Sequence, residues 1–143
     1  MSVRTLLAAI LVVAFVVTSV GFAPAQSRTV IDVSMTSFKF EPSVIRIREG
    51  DTVVLRLSND DTQGRPHNIA SAYFSDLELT VRGEARQGRT ADGRRFIFVD
   101  AGKKAEVEFV ARAWQTEEIA FACTITNHAA RGMTGSFVVL PRQ

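Results

Sequence analysis

Apolar and polar residues alternate with a period close to two over most of the chain after residue 28. Because successive side chains of a strand point to opposite faces of a sheet, this alternation predicts strands that bury one face. The apolar rows are Ile31–Val33–Met35, Ile45–Ile47, Val53–Leu55–Leu57, Phe96–Val99, Ala105–Val107–Phe109–Ala111, Ile119–Phe121–Cys123 and Ser136–Leu140. At least six strands with short turns, and no long helical pattern, favour an antiparallel β-sandwich, which buries one-sided strands between two sheets.

One pair of rows is predicted to form a hairpin. Ile45 and Ile47 precede the turn signal Gly50-Asp51, and the row from Val53 to Leu57 follows it. Since such a turn commonly reverses the chain between paired strands, we expect these two strands to be neighbours in one sheet.

The middle of the chain, residues 71–95, is less regular. Phe74, Leu77 and Val81 recur at helical spacing, which indicates a short helical turn, but residues 77–81 also alternate as a strand does. Both interpretations stay open. The polar stretch Arg82–Arg95 contains five arginines and a turn signal, so we expect a long, exposed, irregular insertion there.

Residues 1–25 have the features of an export signal. A basic residue precedes an apolar run from Leu6 to Val17, and Ala23-Pro24-Ala25 is a small-x-small cleavage site. We therefore expect a signal peptide that is removed, leaving a domain of residues 26–143 in the periplasm or otherwise exported. If the apolar run is extended through Phe22, it can instead be retained as a membrane anchor.

Composition limits the chemistry that this chain of 143 residues can perform. Seventeen Lys and Arg against fifteen Asp and Glu give a net charge of +2, which is too small an imbalance to indicate nucleic-acid binding. One cysteine and two histidines exclude an intramolecular disulfide framework and the common structural zinc sites. Any metal site must therefore use few ligands.

The residues that can carry chemistry lie mostly in one segment. Cys123, His128 and Met133 follow the pattern C-x4-H-x4-M, between a strand that ends at Cys123 and one that begins near Gly135. A loop returning between neighbouring strands can direct a thiol, an imidazole and a thioether at one spot. Each of these residues alone is more often a packing residue, but together they are typical of a mononuclear blue copper centre. The second imidazole of such a centre can come only from His67.

These residues resemble the cupredoxin family of small type 1 blue copper proteins, which includes plastocyanin and azurin. Phe40–Val53 is similar to the family pattern F-x-P-x-x-I-x-V-x-x-G-D-x-V, and the likeness continues at His67-Asn68 and in the loop Cys123–Met133. The resemblance covers about Phe38–Ala70 and Glu117–Leu140, which is close to half of the expected domain.

The resemblance implies an antiparallel Greek-key β-sandwich and one type 1 copper ion. The implied metal ligands are His67, Cys123, His128 and Met133, with Met133 in the axial position, and the implied bracing residues are Asn68 and Thr124. Asn68 is expected to form hydrogen bonds to the loop after Cys123 and so hold the sulfur in place. Thr126-Asn127 stand where the family often has Pro-Gly, so we expect the shape of this loop to differ.

The function implied is the transfer of single electrons between redox proteins, such as a cytochrome or an oxidase, by a monomer that is not an enzyme. Partner contact is expected around His128, where Ala129 and Ala130 form an uncharged rim and Arg131 steers the partner. Contact with nucleic acid is not expected, and contact with a membrane is expected only if residues 1–25 are retained.

Three other interpretations stay open. The same ligands suit a periplasmic copper-binding protein for copper tolerance or delivery. Catalysis by a Cys123 and His128 pair is less favoured, because no third group that orients the pair is evident. A secreted structural or adhesive sandwich without metal is the remaining possibility.

Overall fold

The computed structural model describes residues 27–142, and the predicted export signal lies outside this range. Within it the chain forms eleven strands and two short 3-10 helices, Tyr73–Asp76 and Ala129–Arg131. The strands are β1 Arg28–Thr36, β2 Lys39–Glu41, β3 Val44–Arg48, β4 Thr52–Asn59, β5 His67–Ser71, β6 Thr80–Gly83, β7 Ala85–Arg89, β8 Arg95–Val99, β9 Lys104–Val110, β10 Glu118–Ala122 and β11 Thr134–Leu140. No helix of residues 27–142 has the length and apolarity needed to span a bilayer.

The strands form two sheets, which confirms the predicted β-sandwich. One sheet has the order β2-β1-β4-β9-β6 and the other has the order β3-β11-β10-β5-β8-β7. Most neighbours are antiparallel, but β1 pairs with β4 and β3 pairs with β11 in parallel. The chain leaves the first sheet after β2, forms β3 in the other sheet and returns with β4. β4 runs in the same direction as β1, beside which it lies.

The predicted hairpin around Gly50-Asp51 is wrong, because β3 and β4 belong to different sheets. The turn instead carries the chain from one sheet to the other. Within it, Gly50 has a φ of +89°, and its N–H donates to the carbonyl of Ala111 at 2.9 Å. An inward apolar row looks the same whether two strands lie side by side or face each other. The sequence pattern therefore predicts the strands but not their partners.

The middle of the chain contains both of the elements that its pattern suggested. The helical turn is Tyr73–Asp76, and a strand, β6, begins at Thr80. The predicted irregular insertion over Arg82–Arg95 is wrong, since β7 occupies Ala85–Arg89 and pairs with β8. β6 and β7 are edge strands with few buried side chains, so they lack the apolar rows that mark interior strands.

The core lies between the sheets and contains the predicted apolar rows. A group of aromatic rings fills it through edge-to-face and tilted contacts, and its fully buried members are Tyr73, Phe74, Phe121 and Phe137. β5 starts, β10 ends and β11 starts at the same end of their sheet, because β10 is antiparallel to both neighbours. This arrangement brings His67, Cys123 and Met133 to one end of the sandwich.

Candidate metal centre

Two histidines and the cysteine meet at this end of the sandwich. His67 is the first residue of β5, Cys123 directly follows β10, and His128 lies in the loop before β11. The Nδ1 atom of His128 is 3.2 Å from Nδ1 of His67 and 3.4 Å from Sγ of Cys123. The three potential ligand atoms lie within 4.8 Å of one another, and all three residues are buried. The structure thus brings together three of the four predicted ligands around one point.

Met133 is fully buried beside them, and its backbone closes the loop. The Cys123 N–H donates to the Met133 carbonyl at 3.0 Å, and the Met133 N–H donates to the His128 carbonyl at 3.0 Å. Asn127 adopts a φ of +67°, a left-handed conformation that glycine and asparagine adopt more readily than other residues. Asn127 can therefore form the turn for which the family often uses glycine.

Asn68 and Thr124 connect β5 to the loop after Cys123. The Asn68 side chain donates from Nδ2 to Thr124 Oγ1 at 2.8 Å and accepts the Thr124 N–H on Oδ1 at 2.8 Å. The backbone N–H of Asn68 points to Cys123 Sγ at 3.5 Å. These bonds have the geometry expected of a brace that fixes the sulfur.

A buried carboxylate that the sequence did not reveal lies behind His67. Asp61 Oδ2 is 3.0 Å from His67 Nε2, and the Asp61 side chain has no exposed surface. Ser37 Oγ also donates to Oδ2, at 2.9 Å, and the Gln63 N–H donates to Oδ1 at 2.8 Å. In the sequence Asp61 stands among polar turn residues next to the exposed Asp60, so no local pattern distinguishes it.

The outer side of the site is covered by one aromatic and two arginine side chains. The Phe38 ring meets the His128 ring edge-on, with centroids 5.1 Å apart. The guanidinium carbons of Arg131 and Arg65 lie 3.7 Å and 5.3 Å from the Phe38 centroid. Ala129 and Ala130 are exposed, but these two arginines show that the surroundings of His128 are positively charged rather than uncharged.

Burial and hydrogen bonds shift the pKa values of three groups in the site. Burial lowers the pKa of His128, and the neighbouring His67 and Arg65 act in the same direction, which favours a neutral imidazole that can bind a metal. Burial raises the pKa of the Cys123 thiol, whereas the backbone N–H groups of Asn68 and Ile125 oppose this. Burial also acts to raise the pKa of Asp61, but hydrogen bonds from Gln63, His67 and Ser37 outweigh it and lower the value to about 2.

The donor set fits copper. Two imidazole nitrogens and one thiol sulfur are the trigonal ligands of a blue copper site, and a thioether is its weak axial ligand. The fold and the site therefore define a small, mononuclear copper-binding β-sandwich. The profile of the family described as copper binding proteins, plastocyanin/azurin family, matches residues 27–140. The chain belongs to this family of cupredoxins, and copper is its cofactor.

Solved structures share the fold. A reduced auracyanin from Roseiflexus castenholzii is 18% identical with a TM-score of 0.59, over 80% of this chain and 99% of its own. Auracyanin A from Chloroflexus aurantiacus, a "blue" copper protein, is 14% identical with a TM-score of 0.57, over 80% and 100%. A multicopper oxidase from Campylobacter jejuni is 10% identical with a TM-score of 0.58, over 87% of this chain but 32% of its own. No curated protein sequence matches the chain significantly.

Proposed function

We propose that this protein is a type 1 copper protein that carries single electrons between redox partners. His67, Cys123, His128 and Met133 are the residues that would hold the copper ion. The observation that carries the proposal is the buried meeting of two imidazoles and one thiol at one end of the sandwich, with their ligand atoms within 4.8 Å of one another. Auracyanin A, which shares the fold, is described as a blue copper protein.

The bound copper supplies a one-electron couple between Cu(I) and Cu(II). Hydrogen bonds around the site would hold the proposed ligands in place in either oxidation state. Asn68 and Thr124 fix the start of the loop, and the backbone bonds between Met133, Cys123 and His128 close its base. Because all four proposed ligands are buried, the side chains also keep water from the metal. A site that changes little between oxidation states favours fast electron transfer.

The proposed contact surface for the partner is the positively charged end around His128. His128 is the most exposed of the four proposed ligands, at 7% of its surface, and Ala129 and Ala130 lie beside it. Arg65 and Arg131 flank the Phe38 ring that covers it. A redox protein with acidic groups around its own cofactor complements this surface, and such contacts are brief and small. We expect the carrier to act as a monomer.

Two other functions are less well supported. A protein that delivers copper must release it readily, whereas these ligands are buried and tied to the sheet by hydrogen bonds. A multicopper enzyme needs more histidines than the two in this sequence, and the matched oxidase is about three times as long as the part that the chain covers. We therefore propose a carrier that is not an enzyme.

We also propose that the protein is exported and cut after Ala25. The support is the sequence of residues 1–25, with its basic start, apolar run and small-x-small site. The mass of the protein recovered from the periplasm tests this, because cleavage leaves a chain that starts at Gln26, whereas an anchor leaves the full chain in the membrane fraction.

The test of the ligand assignment is the visible spectrum of the purified protein after addition of Cu(II). We expect an intense thiolate-to-copper charge-transfer band that disappears in Cys123→Ser. Met133→Leu should change the band and the reduction potential, while the control Met35→Leu, at another fully buried methionine, should change neither. Absence of the band in the wild type, or its persistence in Cys123→Ser, would overturn the assignment.

The test of the carrier role compares electron exchange with copper release. We expect the copper-loaded protein to exchange electrons rapidly with an acidic cytochrome and to retain copper when a chelator is added. Arg131→Gln should slow the exchange and weaken its dependence on salt. Slow exchange together with rapid loss of copper would favour copper delivery instead.

A further inference from the structure

The buried carboxylate of Asp61 contacts His67, one of the proposed copper ligands, and is not itself a proposed ligand. Asp61 lies in the loop between β4 and β5, and its Oδ2 is 3.0 Å from Nε2 of His67. The other ring nitrogen of His67, Nδ1, faces His128 at 3.2 Å. Asp61 therefore contacts the ring nitrogen of His67 that does not face His128.

The contact fixes which nitrogen of His67 carries the proton. Both oxygens of Asp61 accept other hydrogen bonds, Oδ2 from Ser37 Oγ and Oδ1 from the Gln63 N–H, so the group that donates in the contact with Asp61 is Nε2 of His67. A neutral imidazole that is protonated on Nε2 has its lone pair on Nδ1, which is the atom that faces the other donors. Asp61 thus selects the form of His67 that can bind metal.

Asp61 is held by the turn between β1 and β2 and by its own neighbours in the chain, Asn59 and Gln63. Ser37, in the turn between β1 and β2, donates to Oδ2 at 2.9 Å, and the Gln63 N–H donates to Oδ1 at 2.8 Å. Asn59 Oδ1 accepts the Asp61 N–H at 3.1 Å, while its Nδ2 donates to the carbonyls of Arg65 and Val99. The carboxylate is therefore built into the fold rather than placed by a flexible loop.

The nearest opposite charge compensates only part of this negative charge. Arg65 Nη1 is 3.8 Å from Asp61 Oδ2 and also donates to Ser37 Oγ at 3.0 Å. The Arg65 side chain is about one-third exposed, at 32%, whereas that of Asp61 is fully buried, so water screens the arginine more than the carboxylate.

We propose that Asp61 is a positioning residue that orients His67 and lowers the reduction potential of the copper site. A carboxylate that accepts the second N–H of a ligating histidine makes the ring a stronger donor, and such partners commonly change metal affinity by about 10–100-fold. A stronger donor beside a buried negative charge stabilises Cu(II) more than Cu(I), because Cu(II) carries the larger charge. This inference rests on the proposed role of His67 as a ligand.

The test is the reduction potential of Asp61→Asn compared with Asp60→Asn, both loaded with copper. Asp60 is the adjacent residue, and its substitution removes the same charge. Its carboxylate accepts hydrogen bonds from Ser34 and Ser58 on the exposed side of the loop. In Asp61→Asn we expect the affinity for Cu(II) to fall about tenfold relative to Cu(I), which raises the potential by about 59 mV. In Asp60→Asn we expect a shift several times smaller. Equal shifts in the two variants would overturn the inference.

A second measurement needs no variant. In the Cu(I) form of the wild-type protein, nitrogen-detected NMR should find a proton on Nε2 of His67 that exchanges slowly with water. A His67 ring without a proton on Nε2 would overturn the inference even if Asp61→Asn does not fold. Absence of the charge-transfer band in the wild type overturns the proposed function together with this inference, whereas a normal band with equal potentials overturns the inference alone.

Discussion

The two ends of strand β5 are both buried, but they are buried by different means. At the His67 end, polar groups are paired in a connected set of hydrogen bonds that includes Asp61, Asn68 and Thr124. Past the Ser71 end, the chain enters the aromatic core with Tyr73 and Phe74, which pack against other rings. Hydrogen bonds position the groups at the His67 end, whereas packing of apolar rings positions those beyond the Ser71 end.

Because the two ends are stabilised in different ways, we expect them to contribute differently to stability and to copper binding. Burial of large rings supplies a large and non-directional gain in free energy, because it scales with the apolar area removed from water. Paired polar groups add little net stability, but they fix positions, and they cost free energy when one partner is lost. We therefore expect substitutions at the aromatic end to change unfolding and those at the polar end to change copper.

The largest effect on stability is expected from Phe74→Ala. Phe74 is fully buried and contacts the rings of Phe109 and Phe137, with centroids 6.0 Å and 5.3 Å away. Truncation should lower the free energy of unfolding by about 3–5 kcal/mol through lost burial and a cavity, as measured by urea denaturation. The copper spectrum of the folded variant should not change.

Phe98→Ala is the matched control for that substitution. Phe98 is only half-buried and its ring is covered by the Arg86 guanidinium, whose carbon is 4.1 Å from the ring centroid. We expect a loss well below that of Phe74→Ala. Similar losses in the two variants would show that the aromatic end is not the main source of stability.

Asn68→Ala should have an intermediate effect on stability and a clear effect on the metal. It removes the three hydrogen bonds between the Asn68 side chain and Thr124, and we expect the copper-free protein to lose about 1–3 kcal/mol in its free energy of unfolding. The charge-transfer band should shift and copper should dissociate faster, as followed by absorption in the presence of a chelator. Thr124→Val keeps the backbone bond to Asn68 Oδ1 and should cause smaller changes. An unshifted band in Asn68→Ala would contradict the proposed brace.

Tyr73→Phe should have the smallest effect, and the effect should depend on pH. Tyr73 Oη donates to the Arg112 carbonyl at 2.8 Å and accepts the Arg112 N–H at 2.9 Å, so its loss should cost about 1 kcal/mol. Burial raises the pKa of Tyr73 above its ordinary value of 10.0.

The sign of the pH effect follows from the direction of that shift. Below about pH 10 the phenol is neutral in both states and its stabilising effect is complete. As the pH rises from about 10 towards the folded pKa, the unfolded chain ionises first, so the wild type loses stability that the variant does not lose. Denaturation at several pH values from about 9 to 11 measures this. Parallel curves for the two proteins would show that Tyr73 ionises equally in both states.

The sequence predicts those residues of the proposed site that are close in the chain. The C-x4-H-x4-M spacing of Cys123, His128 and Met133 predicts a shared loop, since a loop between adjacent strands can aim all three inward. His67 is predicted as the second imidazole ligand because it is the only histidine in the sequence besides His128. Asp61 was missed, because its role depends on Ser37 and His67 arriving from other segments, and such contacts leave no local pattern.

The strands were predictable where they bury a row of apolar side chains, and less so elsewhere. Alternation predicts β4 and β9, whereas β7 has no such row because its residues, Ala85–Arg89, are mostly exposed at a sheet edge. The prediction that β3 pairs with β4 is wrong for a different reason. Alternation shows which face of a strand is buried, and the partner is decided by how the whole chain passes between the sheets.

The position of β11 has a consequence for how the protein is made. β11 is the last strand of residues 27–142, yet it lies inside its sheet, between β3 and β10. Val44 of β3 pairs with Ser136, so the two strands can meet only after nearly all of the described chain has been synthesised. Folding dominated by such distant pairings is slow. Until β11 arrives, the loop that carries Cys123 and His128 has no second strand to close it, so copper can be held firmly only after synthesis is almost complete.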